Sequence, residues 1–244
     1  MVPRECDKGK SDLELNREIY ERVYAKKEEP LYEPFLEIIA KIIRKQGFTR
    51  ILDYGCGPGK AGAYLKRALA NYAYMIDGSD ISRNAFDVAS KYYDAVIVGN
   101  GTDLPEKRYD LVLLNSLIEH ISPDKLEALF GKIALITDAV FLVVPNFKSP
   151  RRYLLGRSRE LEKERRELGH VNILSHSDIR ALLKRNGFDA IRFSFCHAFK
   201  DIDDTTYQLF RRARFVYRLY SLLSLFPFYF LRDSFWVYAE KRRP

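Results

Sequence analysis

A strand, three glycines and a helix follow one another without a break between Arg50 and Leu69, and this stretch restricts the fold more tightly than any other. Ile51-Leu52 is a short apolar run of the kind that buries in a parallel sheet. Asp53 comes next, then Gly55, Gly57 and Gly59 at alternate positions, then the helix-forming run from Lys60 to Leu69. That succession is the first unit of an open α/β sheet, in which a nucleotide-like ligand lies across the turn. Glycine is needed there because a side chain would hold the ligand off the backbone, and because the turn visits positive φ.

The spacing separates two kinds of ligand. A dinucleotide fingerprint, G-x-G-x-x-G, would need glycine at position 60, which is Lys60. The chain has D-x-G-x-G-x-G instead, with a carboxylate two residues before the first glycine. An acid at that place opposes a pyrophosphate and favours a ligand carrying an ammonium or sulfonium. The pattern resembles motif I of the class I S-adenosylmethionine (SAM) methyltransferases. The resemblance implies SAM as cofactor, held by Asp53, Gly55, Cys56, Gly57 and Gly59. It also implies an α/β fold, a doubly wound, Rossmann-like, seven-stranded sheet whose last strand is antiparallel. One domain is expected over 1–244, with helical cover from 1–47 and inserted lid segments at 147–169 and 203–232.

The rest of the chain can be set against that expectation. Two amphipathic helices precede the glycines, one over Ser11–Lys27 with Ser11 and Glu14 as a capping box, the other over Leu31–Gln46 and stopped by Gly47. In the family such helices lie over the cofactor, which makes Tyr24 and Tyr32 contact candidates, with aromatic core as the alternative. A second strand is read over Tyr72–Ile76. Beyond it Asp80 stands about 20 residues after Gly59, where α/β nucleotide sites place the acid that accepts from the ribose hydroxyls. Ile81 adjoins it, and Ser82 is the better cap for the following helix. A third strand, Ala95–Val98, runs into Gly99-Asn100-Gly101, similar to the family loop whose acid reads the adenine amine. Here Asn100 replaces the acid, and its amide oxygen can still accept. Strands follow at 109–114 and 139–144, with a helix over Pro123–Ile136 between them. The segment Gly169-His170-Val171-Asn172, a helix from Asp178 to Arg185, a strand through Phe195 and a last strand over Ser234–Glu240 also resemble the family's order.

The transferable methyl of such an enzyme points at the segment after the fourth strand, Asn115 to His120. Asn115 is a cofactor candidate. His120 is the leading candidate for a base acting on the acceptor, with Glu119 beside it; His170 and then Tyr153 come next. A histidine of the surface or core is the alternative for His120, and a solvent-facing carboxylate for Glu119. A metal held by Glu119 and His120 stays as an alternative, but two neighbouring ligands without a third are a weak signal, and none is expected. Nor do Cys6, Cys56 and Cys196 have metal-ligand spacing; their odd number suits a reduced, intracellular chain. No N/D-P-P-Y/F quartet of the nucleic-acid amino-methyltransferases occurs, so an oxygen acceptor on a small molecule, lipid or glycan-linked compound is preferred. RNA methylation and a catalytically silent SAM-binding partner protein stay as alternatives. The net charge of +8 allows an anionic partner. Lys148, Arg151, Arg152, Arg157 and Arg159 fall in a stretch without acids, and residues 208–232 interleave arginines with aromatics. The latter is a lid, a dimer contact or a peripheral membrane element. No apolar run reaches the ~20 residues of a membrane span, so the expected location is cytoplasmic, with contact at the membrane surface left open.

Overall fold

The structure, a computed structural model, describes residues 11–24, 34–99, 104–146, 169–196 and 234–241. Two helices come first, α1 (Asp12–Tyr24) and α2 (Pro34–Gln46). Strand and helix then alternate through β1 (Arg50–Tyr54), α3 (Lys60–Ala68), β2 (Met75–Asp80), α4 (Arg83–Ala89), β3 (Ala95–Val98) and β4 (Leu111–Asn115). A single 3-10 turn, Ile118–His120, leads to α5 (Pro123–Ile136), β5 (Ala139–Pro145), α6 (His176–Arg185), β6 (Phe188–Cys196) and β7 (Ser234–Lys241). The strands form one seven-stranded sheet in the order β3-β2-β1-β4-β5-β7-β6. Strands β1 to β5 pair in parallel, and β7 runs antiparallel to both β5 and β6. Strand order reverses between β1 and β4, so a crevice opens above their carboxyl ends, the place where such sheets bind ligands.

Both faces of the sheet are buried over its central strands, while β3 at the edge is largely exposed, and side-chain alternation along the central strands assigns their residues to one face or the other. Leu52 and Tyr54, Val112 and Leu114, and Val140, Leu142 and Val144 pack with α5 and α6. Ile51, Leu111 and Leu113, and Ala139, Phe141 and Val143 pack with α2 and α3 on the opposite face. Helix ends follow the sequence signals. Ser11 N and Glu14 Oε2 lie 2.8 Å apart and Glu14 N donates to Ser11 Oγ at 3.3 Å, a reciprocal capping box. Ser82 caps α4 by accepting from Ala85 N. Gly47 and Gly187 end α2 and α6 with φ of 72° and 83°.

Two strands differ from the sequence reading. Strand β2 lies later than Tyr72–Ile76, because Asp77, Gly78 and Ser79 pair with β1 and β3 despite their polarity. The buried Asp77 carboxylate accepts from Tyr109 Oη at 2.8 Å and pairs with Lys107 at 3.5 Å, so its burial is compensated. Strand β4 starts at Leu111 and not at Tyr109, which makes only a lone bridge to Thr137. Asp110 is structural, accepting from the backbone N–H groups of Thr49 and Arg50 at the foot of β1. Residues 147–168 and 197–233, which hold nearly all of the expected lid segments, lie outside the described residues. The register fixes where those segments join the sheet. Pro145 and Cys196 are each partnered with Ser234, so all three junctions lie at the end of the sheet that carries the crevice.

Candidate functional site

The floor of the crevice is the loop between β1 and α3. Gly55, Gly57 and Gly59 have φ of 82°, 50° and 96°, so all three occupy the left-handed region expected of them. The loop is tied to β2 from below, because Gly55 N and Cys56 N both donate to Ser79 O at 2.7 and 3.0 Å. Asp80 fastens it from the side. Its Oδ2 accepts from Gly57 N at 2.8 Å and its Oδ1 from Ser82 N at 2.9 Å. The backbone N–H of Ile81 also meets this carboxylate. A Cβ on Gly57 would lie 2.8 Å from the Tyr24 hydroxyl, and one on Gly55 2.9 Å from the Leu117 side chain. Gly59 is held for a different reason: its Cβ would strike Tyr92 at 2.9 Å and the Ala89 backbone at 3.2 Å, where α3 begins against α4. Cys56, a cofactor candidate, turns its thiol down into the core beside Gly78, and burial pushes that thiol's pKa up. Its backbone N–H is taken by Ser79 O and its carbonyl accepts from Gly59 N, so Cys56 serves to hold the loop's shape. Ile81 is half-buried at the mouth of the loop, and Asn115 is half-buried at the end of β4.

Asp53 lies directly under this loop, 2% exposed. Its Oδ2 accepts from Tyr93 Oη at 2.5 Å, and its Oδ1 has no hydrogen-bond partner among the described residues. Burial pushes the carboxyl up to about 7, the Tyr93 hydrogen bond partly offsets that, and Asp80 adds to it. Burial likewise raises Asp80. Two carboxylates lie under a cradle of glycine backbone. These acceptors fit a cationic, ribose-bearing ligand such as SAM, and disfavour a pyrophosphate.

Across the crevice, β4 leaves the sheet through Ser116, whose φ of 48° is the only positive value at a non-glycine residue among those described. The 3-10 turn that follows buries Glu119 (1% exposed) and His120 (8% exposed), so the solvent-facing alternative for Glu119 does not hold. The segment 169–172 docks against this turn through its backbone. Glu119 O accepts from Val171 N and Asn172 N at 2.9 and 3.0 Å, and Asn172 Nδ2 donates to Ile121 O. His120 Nδ1 lies 3.3 Å from Gly169 O, which can only accept, so that nitrogen carries the proton. The neutral ring then presents a lone pair at Nε2, 2.9 Å from the Tyr20 hydroxyl and 4.0 Å from Glu119 Oε1. His170 lies beside it, its ring tilted by 59° and centred 4.7 Å away. Glu119, His120 and the half-buried His170, which is 50 residues further along the chain, thus meet in one small cluster.

Helix α1 forms the wall between floor and cluster. Asn16 Nδ2 donates to His120 O at 2.9 Å, and Glu21 accepts from the Arg83 and Asn84 backbone at 2.6 and 3.1 Å. Tyr20 and Tyr24, one helical turn apart with centroids 5.4 Å apart, reach His120 and Gly57 respectively. Tyr24 is therefore at the loop as one of the two sequence readings had it. Tyr20 and Tyr93 were not singled out by sequence. The i, i+4 spacing of Tyr20 and Tyr24 was a usable signal for the first; nothing local marks Tyr93. Tyr32, Asn100, Gly101 and Tyr153 lie outside the described residues.

The methyltransferase domain family matches residues 14–192, which takes in everything from α1 to the start of β6. No curated protein matches the chain in sequence. Among solved structures it is similar to magnesium protoporphyrin IX methyltransferase from Synechocystis PCC 6803 with bound SAH, at 16% identity and a TM-score of 0.61, covering 95% of this chain and 100% of that one. The plantazolicin methyltransferase BamL, in complex with a triazolic desmethylPZN analog and SAH, matches at 14% identity and a TM-score of 0.57, covering 95% and 97%. A SAM-dependent methyltransferase from Archaeoglobus fulgidus matches at 18% identity and a TM-score of 0.53, covering 84% and 94%. At such identities the likeness is one of fold, and it agrees with the family assignment and with the loop built on Asp53 and its glycines. The chain belongs to the methyltransferase domain family and is a SAM-dependent methyltransferase.

Proposed function

We propose that the protein methylates an oxygen of a small-molecule, lipid-linked or glycan-linked acceptor. The observation that carries this reading is the Glu119–His120–His170 cluster, with Glu119 and His120 buried and His170 half-buried, standing across the crevice from the glycine loop. Bound SAM supplies a sulfonium methyl that is already activated, so the protein's task is orientation and management of one proton. Orientation of the reacting atoms alone can supply about 7–11 kcal/mol of the barrier. The loop from Gly55 to Gly59 fixes one end of the cofactor through backbone, Asp80 accepts from its ribose hydroxyls, and Asp53 balances its positive charge. Asn100 and Gly101 are proposed at the adenine, and Ile81 and Asn115 along the cofactor's edge. The acceptor's O–H loses its proton toward the cluster around His120; the oxygen lone pair forms the new bond to the methyl carbon, and the C–S electron pair remains on sulfur. A positioned base of this kind typically contributes about 10²–10⁴-fold.

Solved neighbours of the same fold include enzymes named for a porphyrin and for a plantazolicin substrate, which agrees with a small-molecule or peptide-sized acceptor. The basic residues of 147–169 and the basic, aromatic run 208–232 favour an acceptor with an anionic group and an apolar body. Incubation with methyl-labelled SAM and fractionated cell extract tests the proposal. Label is expected in the small-molecule or lipid fraction, stable to mild base if it forms an ether. Label confined to RNA or protein would overturn the acceptor class.

A further inference from the structure

We infer that Glu119, His120 and His170 form a binding site for a divalent transition-metal cation at the acceptor side of the crevice, with His170 the third ligand that sequence spacing did not supply. The inference rests on the methyltransferase reading and deepens it, because the cation would hold the acceptor's oxygen. One ligand atom from each of the three residues lies within 4.8 Å of the others. Ligands around one ion at about 2.0–2.2 Å stand roughly 3–4 Å apart, so the three side chains need to draw in by about an ångström. Two imidazoles and one carboxylate are the donor set of manganese, iron(II), cobalt(II) and zinc; calcium and magnesium prefer oxygen alone.

The surroundings are arranged as ligand supports. His120 carries its proton on Nδ1, directed at Gly169 O, which leaves the Nε2 lone pair as the ligand atom, met by the Tyr20 hydroxyl at 2.9 Å and standing 4.0 Å from Glu119 Oε1. A ligating histidine nearly always has its other nitrogen held in this way, since that fixes both tautomer and ring orientation. The backbone is fixed as well. Glu119 O takes two N–H bonds from the 171–172 segment, and His120 O takes one from Asn16. Gly169 cannot be replaced without collision, because a Cβ there would run into Asn16 Oδ1. These contacts hold together two stretches that are distant in sequence and bring His170 to the other two residues. The Tyr20 hydroxyl, 2.9 Å from His120 Nε2, stands at the cluster's edge and marks one direction from which an oxygen approaches. Three protein ligands leave open positions for two oxygens, so the site suits an acceptor whose hydroxyl neighbours a second oxygen, such as a catechol-like diol or a hydroxy-carboxylate. Co-ordination lowers the hydroxyl's pKa; because His120 Nε2 is then a ligand and has no lone pair for a proton, the proton passes to solvent and the oxygen is left as the nucleophile.

The full chain, stripped with chelator and dialysed, is titrated with Co²⁺ while visible absorption is followed, and SAM affinity is measured separately by calorimetry. One equivalent of Co²⁺ is expected to give weak d–d bands with a nitrogen-ligand pattern. In His170→Ala and Glu119→Gln, Co²⁺ affinity should fall by more than the roughly 10–100-fold that loss of an outer-shell partner costs. SAM affinity in these variants should stay within about twofold of wild type, since the glycine loop is untouched; it also reports that they fold. Absence of bands from the wild type, or bands unchanged in His170→Ala, would overturn the site and leave His120 a metal-free base. Loss of SAM affinity in the wild type itself would instead count against the parent methyltransferase reading.

Discussion

At the scale of single residues, Asp53 sets a measurable pH dependence. Its carboxyl rises from 3.8 to about 7 in the folded protein, so the folded chain holds a proton that the unfolded chain has released. The stability this gives is fully present below about pH 3.8 and is lost as pH rises through about 7. A bound sulfonium or ammonium reverses the preference and draws the carboxyl back to its ionised form. SAM binding below pH 7 is therefore expected to release a proton, and affinity to climb with pH by up to about tenfold per unit before levelling above 7. Calorimetry in two buffers of different ionisation enthalpy counts that proton, and Asp53→Asn should abolish both the release and the slope. A neighbouring glycine gives a sharper steric test. Gly57→Ala places a methyl 2.8 Å from the Tyr24 hydroxyl at a φ of 50°, which costs about 1–2 kcal/mol in backbone strain and pushes α1 off the loop. SAM binding should fall well below wild type while the sheet's circular dichroism persists. Both residues could be singled out in sequence because the loop's function and its local spacing coincide. Tyr93 could not: its hydroxyl joins Asp53 to Gly62 N from 40 positions away, and only the packing of α4 under the loop brings it there.

At the scale of elements, periodicity located helices better than strands. Helix α5 falls at the expected Pro123–Ile136, where proline at the start and five buried apolar residues on one face leave little choice. Strand β2 was misplaced because Asp77, Gly78 and Ser79 look like a turn in isolation. They are strand because β1 on one side and β3 on the other satisfy their backbone, a non-local cause that no window of sequence displays. The same holds for the 169–172 segment, an irregular stretch whose partners are the Glu119 carbonyl and the His120 ring. Helix α1 is the element on which most depends, since it touches the cofactor loop, the acceptor cluster and α4 together. Glu21 is its anchor, receiving two N–H groups at the start of α4, where a carboxylate also meets the favourable end of the helix dipole. Glu21→Ala should cost about 1 kcal/mol, the exposed end of the range for charged hydrogen bonds. Hydrogen exchange should accelerate in α1 but not in β1, β4 or β5, and SAM should restore part of the protection through Tyr24. Equal acceleration throughout would mean that α1 is integral to the core and not a separable wall.

At the scale of the whole molecule, the sheet gathers every functional segment at one edge. The glycine loop leaves β1 there, the Glu119–His120 turn leaves β4 there, and Pro145, Cys196 and Ser234 meet there in register. Residues 147–168 leave the sheet beside the crevice, and residues 197–233 both leave and rejoin it there, which is where an acceptor-binding lid begins. Their charge comes from the sequence: Arg211, Arg212, Arg214, Arg218 and Arg232 are set among phenylalanine, tyrosine and leucine in a chain of net charge +8. No helix among the described residues is long and apolar enough to cross a membrane, and Pro227 interrupts the apolar run, so any bilayer contact would be at the surface. Each arginine or lysine near an anionic surface adds about 1 kcal/mol, and several together suffice for reversible attachment. An enzyme that draws an amphipathic anionic acceptor from a bilayer should therefore co-sediment with vesicles containing phosphatidylserine or phosphatidylglycerol. It should stay in solution with neutral vesicles and be released by salt, since charges outside the bilayer are screened within about 10 Å at 0.1 M. Changing Arg211, Arg212 and Arg214 to glutamate should abolish sedimentation and leave SAM affinity intact, because the cofactor loop lies on β1 and not on this run. Wild-type protein that remains in the supernatant with anionic vesicles at low salt would make the run a lid over a water-soluble acceptor, with its arginines directed at the acceptor's own charge.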